Sequence, residues 1–192
     1  MDRGKVTIDG ETHAVDSPFM VFATQNSVDY EGTFPLPESQ MDRFLMRIQM
    51  GYPAGGDEMD ILRAQPSNYD DIFLDPVLTR TELIELQNVA TQVFVEDSVL
   101  DYILSVTTTT RTESEFKAGI SVRGGLALKA AAQALALVRG RDFVIPDDVS
   151  DLIVPTLGHR LGLTRPTSDA LEERRAIGSV LKQIIESLPE PQ

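Results

Sequence analysis

Residues 1–52 combine short apolar runs with polar breaks at spacings typical of β-strands. Residues 19–23 form an uninterrupted apolar run, which is the pattern of a strand buried on both faces. Residues 44–50 alternate in part and predict a second strand. Residues 5–15 alternate around Asp9-Gly10, two residues that tolerate the positive φ of a tight type I′ turn, so this segment is predicted to form a hairpin.

Beyond a Gly- and Pro-rich segment at 51–56, apolar residues recur at helical spacing instead. Thr79 and Glu82 have the capping-box spacing that opens a helix, and Pro146 suits the first turn of another. The four threonines at 107–110 are β-branched, and we expect a helix to end among them. In chain order, helices are predicted over 57–64, from 80, around 99–106, around 128–138, from 146 and over 169–188.

The chain is therefore predicted to contain an α/β remnant, made of a hairpin and two strands, followed by an all-α bundle. The change of pattern divides it into residues 1–52, a helical domain over 53–163 and a helical extension over 164–192. A hairpin and two strands make a poor independent sheet. The open edge of this sheet is expected to need a covering partner.

The charge and composition of the chain exclude several classes of function. It has 30 acidic and 17 basic residues, a formal net charge of −13, and 42% apolar residues. The apolar content suffices for a folded core, but an acidic surface is unsuited to nucleic acid or anionic membranes, which attract clustered Lys and Arg. There is no cysteine, and the two histidines, His13 and His159, lie far apart, so no metal site is expected. No apolar run approaches the ~20 residues of a membrane helix, and a cytoplasmic protein without membrane insertion is predicted.

Three polar residues occupy positions where a ligand could bind. Asn26 follows the apolar run at 19–23, and the carboxyl end of a buried strand commonly carries a ligand site, although Asn also caps ordinary turns. Arg43 follows a proline-bounded loop, where it could form a surface ion pair or reach a phosphate in a neighbouring subunit. Arg123 precedes an Ala-rich helix, where a cation opposes the helix dipole, so an anion is expected beside it.

Four stretches of the chain resemble motifs of the MoxR family of AAA+ ATPases. Residues 23–26 (ATQN) are similar to the family's sensor 1, 36–44 (LPESQMDRF) to its arginine-finger segment, 119–123 (GISVR) to its sensor 2 and 140–149 (GRDFVIPDDV) to a later helix start. The sequence departs from the usual family residues at Met41 for Leu, Val122 for Pro, Gly124 for Ala and Ile145 for Thr. The last change leaves the following helix without its usual capping oxygen.

This resemblance implies a role for each candidate residue. Asn26 would sense the γ-phosphate or orient water, and Arg43 would be an arginine finger that acts in trans. Arg123 would bind nucleotide as sensor 2, either in its own subunit or in a neighbour. The hairpin would be the family's pre-sensor-1 hairpin, the α/β remnant the end of the AAA+ core and the helical domain its lid.

The family further implies ATP and Mg²⁺ as cofactors and a ring, usually hexameric, that remodels or activates partner proteins. The sequence contains no G-x-x-x-x-G-K-[ST] loop, and this loop and the Walker B acidic pair are expected upstream of Met1. The isolated chain is therefore expected neither to bind ATP tightly nor to hydrolyse it. The alternative is a non-catalytic interaction module that docks on full-length AAA+ subunits. The sequence does not identify the client protein.

Overall fold

The computed structural model describes residues 4–25, 37–64, 74–189 and 191. Within these ranges a two-stranded sheet precedes seven α-helices. The elements are β1 (Lys5–Ile8), β2 (Glu11–Ala14), α1 (Glu38–Met41), α2 (Gly55–Ala64), α3 (Arg80–Gln92), α4 (Asp97–Thr112), α5 (Val122–Val138), α6 (Pro146–Leu157) and α7 (Ala170–Ser187). A 3₁₀ turn, Gly158–Arg160, follows α6 directly. The predicted fold class, a small sheet remnant followed by a helical bundle, is confirmed.

Strands β1 and β2 form the predicted hairpin. They pair antiparallel, with Lys5 opposite Ala14 at the open end. Asp9 and Gly10 have φ values of 51° and 87°, and a type I′ turn requires positive φ at both central positions. Nearly all side chains of the two strands are exposed, so the hairpin is held by its turn and its own hydrogen bonds.

The prediction of two further strands, at 19–23 and 44–50, is wrong for the described residues. Neither segment pairs in a sheet, and each has an extended or irregular backbone. Their apolar side chains reach far into solvent, with Phe22 86% and Met50 93% exposed. A strand is stabilised and buried by its neighbours in a sheet, and no described strand lies beside either segment. The apolar pattern alone could not reveal this.

Helices α4 to α7 enclose the main hydrophobic core. α5 contacts α3, α4 and α6, and its alanines allow this close approach, since Ala132 and Ala136 are fully buried. α7 packs on α4 and α6, so the last helix belongs to the same core. The largest contributions come from apolar side chains with no exposure, among them Val106, Leu128, Ile153, Leu157 and Leu181.

Helix α4 does not end among its threonines, as the β-branched run predicted, but continues to Thr112. The hydroxyl of Thr107 donates to the carbonyl of Leu104 at 3.0 Å, and that of Thr110 to the carbonyl of Thr107 at 2.7 Å. Both side chains are buried. Bonding back to the preceding turn satisfies each hydroxyl, and packing outweighs the low intrinsic propensity.

The predicted start signals of α3 and α6 are confirmed. Thr79 caps α3, where its hydroxyl accepts the Glu82 N–H at 3.2 Å and Glu82 accepts the Thr79 N–H at 2.7 Å. Gly140 follows the end of α5 with a φ of +76°, and Pro146 occupies the first turn of α6. These signals act within a few residues, so they can be recognised without knowledge of the tertiary fold.

Asp148 ties the start of α6 to the end of α5. Its carboxylate is fully buried and accepts hydrogen bonds from Arg139 (2.9 Å), Arg141 (2.7 and 2.5 Å) and the Ile145 N–H (3.0 Å). Burial alone raises the pKa of Asp148, but the hydrogen bonds from Arg141, Ile145 and Arg139 outweigh it, so the pKa lies below its ordinary value. The Ile145 N–H thus gains an acceptor although Ile145 itself offers no capping oxygen.

Candidate functional site

Hydrogen bonds from the C-terminal end of α4 hold the loop that precedes α5. The Thr110 hydroxyl accepts the Ile120 N–H at 3.0 Å, and Arg111 Nε donates to the Ile120 carbonyl at 2.9 Å. Gly119 lies so close to Arg111 that a Cβ at position 119 would be 2.3 Å from the Arg111 Cα. A residue without a side chain is therefore required at 119. Thr110 and Arg111 of α4 thereby fix the segment that carries Arg123.

Arg123 lies in the first turn of α5 with 59% of its side chain exposed. Ser121 caps this helix and accepts the Gly124 N–H at 3.2 Å. The anion expected here is supplied by the chain itself, because Asp42 Oδ2 lies 4.0 Å from Arg123 Nη1 and Asp42 Oδ1 accepts the Ser121 hydroxyl at 3.4 Å. The Asp42 carboxylate thus compensates both the helix dipole and the arginine.

We define residues 37–47 as the finger segment, since they carry Arg43. Its short helix α1 is followed by a turn in which the Arg43 N–H donates to the Gln40 carbonyl at 3.2 Å and the Phe44 N–H to the Met41 carbonyl at 3.1 Å. The Arg43 side chain is exposed and forms no ion pair with any described residue. Its backbone is fixed by hydrogen bonds to neighbouring residues, and its guanidinium is exposed.

Arg160 attaches the finger segment to the helical bundle. Its side chain is only 3% exposed, and Nη1 donates to both the carbonyl and the carboxylate of Asp42 at 2.6 Å. Nη2 donates to the carbonyl of Phe44 at 2.6 Å, and Nε to the carbonyl of Thr156 at 3.0 Å. A planar guanidinium can serve acceptors on several sides at once. The buried charge is thus paired and fully hydrogen-bonded.

Two further contacts join the same surfaces. His159 Nε2 lies 3.2 Å from the Phe44 carbonyl, and the Arg47 N–H donates to the Pro155 carbonyl at 2.9 Å. Burial lowers the pKa of His159, and the nearby charge of Arg160 also lowers it, against an opposing hydrogen bond to Phe44. The ring is therefore neutral, and Nε2 carries the proton that Phe44 accepts. The carbonyls at the end of α6, which a helix leaves unpaired, gain donors from this arrangement.

The structure brings two of the three predicted site residues to one place. Arg43 directly follows Asp42, and Arg123 lies beside the Asp42 carboxylate. Asn26 lies outside the described residues. Sequence reasoning missed Asp42 and Arg160, which are 118 positions apart. An arginine and a histidine at the end of an apolar helix were the only signal, and this signal does not identify a distant partner.

Neither a metal site nor a membrane span is found among the described residues. No group of three or more His, Cys, Asp or Glu side chains in these ranges could hold a metal ion. None of the helices in the same ranges has the length and apolar content that crossing a bilayer requires.

Comparison with known proteins defines the class. Residues 1–46 match the model of the ATPase family associated with various cellular activities (AAA), and residues 108–180 match the AAA lid domain. A putative ATPase from Cytophaga hutchinsonii superposes with a TM-score of 0.81 at 29% sequence identity, covering 98% of this chain and 59% of that chain. The structure thus contains the end of an AAA+ core and its helical lid.

Curated relatives identify the family within this class. The chain is 38% identical over 201 residues to Chaperone MoxR1 of Mycobacterium tuberculosis, covering 100% of this chain and 52% of that protein. It is 45% identical over 163 residues to the uncharacterized protein YeaC of Bacillus subtilis, covering 85% of this chain and 51% of that protein. The chain belongs to the MoxR family of AAA+ ATPases. It spans about half the length of these relatives.

Proposed function

We propose that this chain supplies the arginine finger, sensor 2 and lid of a MoxR-type AAA+ ATPase that couples ATP hydrolysis to remodelling or activation of partner proteins. The observation that carries the proposal is the state of Arg43. Its side chain is exposed and pairs with no described carboxylate, while hydrogen bonds from Arg160 fix the backbone on both sides of it. An exposed cation on an ordered backbone is suited to a ligand outside its own chain.

The chemistry follows from the demands of phosphoryl transfer. Negative charge spreads over the transferring phosphoryl group, and a guanidinium brought to it from a neighbouring subunit stabilises that charge. In this proposal Arg43 acts in trans on a neighbour's ATP and Mg²⁺, Arg123 contacts nucleotide as sensor 2, and Asn26 serves as sensor 1. The partners are further AAA+ subunits in a cytoplasmic ring, with a client protein of unknown identity.

In this proposal each of the three predicted segments keeps its expected role. Residues 1–52 would complete the α/β core, 53–163 would form the lid, and 164–192 would extend it. These 192 residues contain no G-x-x-x-x-G-K-[ST] loop, so by themselves they offer no loop to hold the phosphates of ATP. The 192-residue chain alone is expected to show no ATP turnover.

A complementation assay tests the proposal. A MoxR-family subunit that has a phosphate-binding loop, but whose own finger arginine is changed to Ala, is mixed with this chain and its ATP turnover is measured. Because an arginine finger contributes about 10³–10⁵-fold to kcat, even partial incorporation of the chain should restore measurable turnover. Arg43→Ala should abolish the recovery, whereas Arg165→Ala, at a half-exposed arginine elsewhere on the surface, should leave it intact.

The same assay distinguishes this proposal from the alternative, a non-catalytic interaction module that docks on full-length AAA+ subunits. A docking module without a finger role would change the turnover of a ring with intact fingers and would do so equally with Arg43→Ala. Recovery that is independent of Arg43 would therefore contradict the proposal. No recovery at any mixing ratio, with association shown by sedimentation, would contradict it as well.

A further inference from the structure

We propose that Arg160 is a positioning residue for the arginine finger: it fastens the backbone on both sides of Arg43 to the lid, so that finger and lid move as one body. The inference rests on the proposed function for the role of Arg43. The attachment itself can be tested on the 192-residue chain without nucleotide. Arg160 would contact neither the nucleotide nor the client, and would act only through Arg43.

Arg160 holds the backbone on both sides of Arg43. The two Nη atoms of Arg160 reach the carbonyls of Asp42 and Phe44, which are the residues before and after Arg43, both at 2.6 Å. The Phe44 carbonyl also lies 3.2 Å from His159 Nε2. Because both neighbours of Arg43 are held from the lid side, a displacement of the 3₁₀ turn would displace the base of the finger.

Apolar packing holds the finger segment only in part. Leu45 and Met46 are 51% and 37% exposed, and Met41 and Phe44 are half-buried. Helix α1 has only four residues, too few for a helix to be stable by itself. Charge-assisted hydrogen bonds in a site shielded from water are the stronger kind. Arg160 is 3% exposed and supplies most of them.

The carboxylate of Asp42 lies between Arg160 and Arg123, the residue predicted to be sensor 2. Asp42 Oδ1 lies 2.6 Å from Arg160 Nη1, while Asp42 Oδ2 lies 4.0 Å from Arg123 Nη1. One carboxylate, 29% exposed, is thus shared between a buried and an exposed arginine. If Arg123 turned towards a phosphate, Asp42 would lose that charge and keep its bonds to Arg160. The Asp42 carboxylate of the finger segment thus contacts both arginines of the lid.

Hydrogen exchange in the 192-residue chain tests the attachment. The Arg47 N–H donates to the Pro155 carbonyl at 2.9 Å, so its exchange rate reports separation of the two surfaces. In Arg160→Gln we expect this amide to exchange about ten to a hundred times faster, because hydrogen bonds to a charged group are lost. Amides of α7 should change by less than about threefold. Arg165→Gln, a matched loss of one arginine, should leave the Arg47 amide unchanged.

A second variant covers the case in which Arg160→Gln unfolds the chain and all amides exchange faster. Asp42→Asn keeps an acceptor of the same shape and removes only the charge. It should accelerate the Arg47 amide selectively, by about three- to tenfold. Unchanged exchange at Arg47 in a folded Arg160→Gln chain, or in Asp42→Asn when Arg160→Gln is unfolded, would overturn the inference.

Turnover in the complementation assay tests the positioning role. Arg160→Lys keeps the charge but cannot bridge both carbonyls, so it should lower kcat at the neighbour's site at least about tenfold while KM stays the same. Association of the Arg160→Lys chain with the partner subunit, followed by sedimentation, should match that of the wild-type chain, because Arg160 acts only through Arg43. A loss of turnover that is matched by an equal loss of association would indicate a purely structural role and would overturn the inference.

Hydrogen exchange and turnover together distinguish failure of the finger role of Arg43 from failure of the positioning role of Arg160. Faster exchange at Arg47 with no recovery of turnover by the wild-type chain would leave the attachment intact and overturn the finger role of Arg43. Recovery by the wild-type chain with unchanged turnover in Arg160→Lys would keep the proposed function and overturn the positioning role of Arg160.

Discussion

Changing Asp148 to Asn should destabilise the helical bundle, because this buried carboxylate pairs with two arginines. The carboxylate is fully buried and accepts hydrogen bonds from two arginines and one amide. Breaking a buried ion pair costs about 3–5 kcal/mol. Here Arg139 and Arg141 are 41% and 22% exposed and can turn partly to water, so we expect a loss of about 2–3 kcal/mol in the free energy of unfolding.

Urea unfolding followed by circular dichroism at pH 7 measures this loss. Asp151→Asn is the matched control, because Asp151 also pairs with Arg139, at 2.7 Å, but is 56% exposed. The control should change the free energy of unfolding by less than about 1 kcal/mol. Equal losses in the two variants would refute the reasoning that burial determines the contribution of this network.

The pH dependence gives an independent check on Asp148. Its pKa is lower in the folded chain than in the unfolded one, so the unfolded chain binds the proton more readily and this carboxylate stabilises the fold at neutral pH. The contribution is complete above the unfolded pKa of about 3.9. It should be lost as the pH falls through the lower folded value. The gap between wild type and Asp148→Asn should therefore shrink below about pH 4.

Three other changes test separate parts of the structure. Leu181→Ala, in the middle of α7 with 0% exposure, should cost about 2–5 kcal/mol, and an unchanged urea midpoint would show that α7 is not part of the core. Gly119→Ala should lower the free energy of unfolding by about 1–3 kcal/mol through overpacking. Gly125→Ala, where a Cβ has ordinary contacts, should instead stabilise α5 by about 0.5–1 kcal/mol. Thermal unfolding that ranks the two variants in the opposite order would contradict this. Because burial lowers the pKa of His159, wild-type stability should fall as the pH drops below about 6.5, and His159→Gln should remove that part of the slope. A slope that persists unchanged in the variant would assign it to other groups.

The local features of the fold could be read from the sequence. The capping box at Thr79, the Pro146 start of α6 and the Asp9-Gly10 turn each depend on a few adjacent residues whose backbone preferences are strong. The helix end predicted at 107–110 was wrong because buried hydroxyls found carbonyl partners and tertiary packing overrode propensity. The predicted strands at 19–23 and 44–50 failed because a strand depends on neighbours that no local pattern supplies.

In the candidate site, too, local motifs could be recognised from the sequence, whereas contacts between distant residues could not. Arg43 and Arg123 could be singled out from the motifs around them. Their common neighbour Asp42 and the buried Arg160 could not, because that contact joins residues 118 positions apart. Pairing between distant charges depends on how helices pack, and helical periodicity specifies which face is buried but not which residue lies opposite.

Whether Arg43 reaches the nucleotide of a neighbouring subunit can be seen directly in a cryo-EM structure. The sample is this chain assembled with a MoxR subunit that has a phosphate-binding loop and holds ADP and aluminium fluoride, a mimic of the transferring phosphoryl group. We expect the Arg43 guanidinium about 3 Å from a fluoride of the neighbour's site. An Arg43 side chain that points into solvent, or that lies against its own subunit while the neighbour's site is filled, would contradict it.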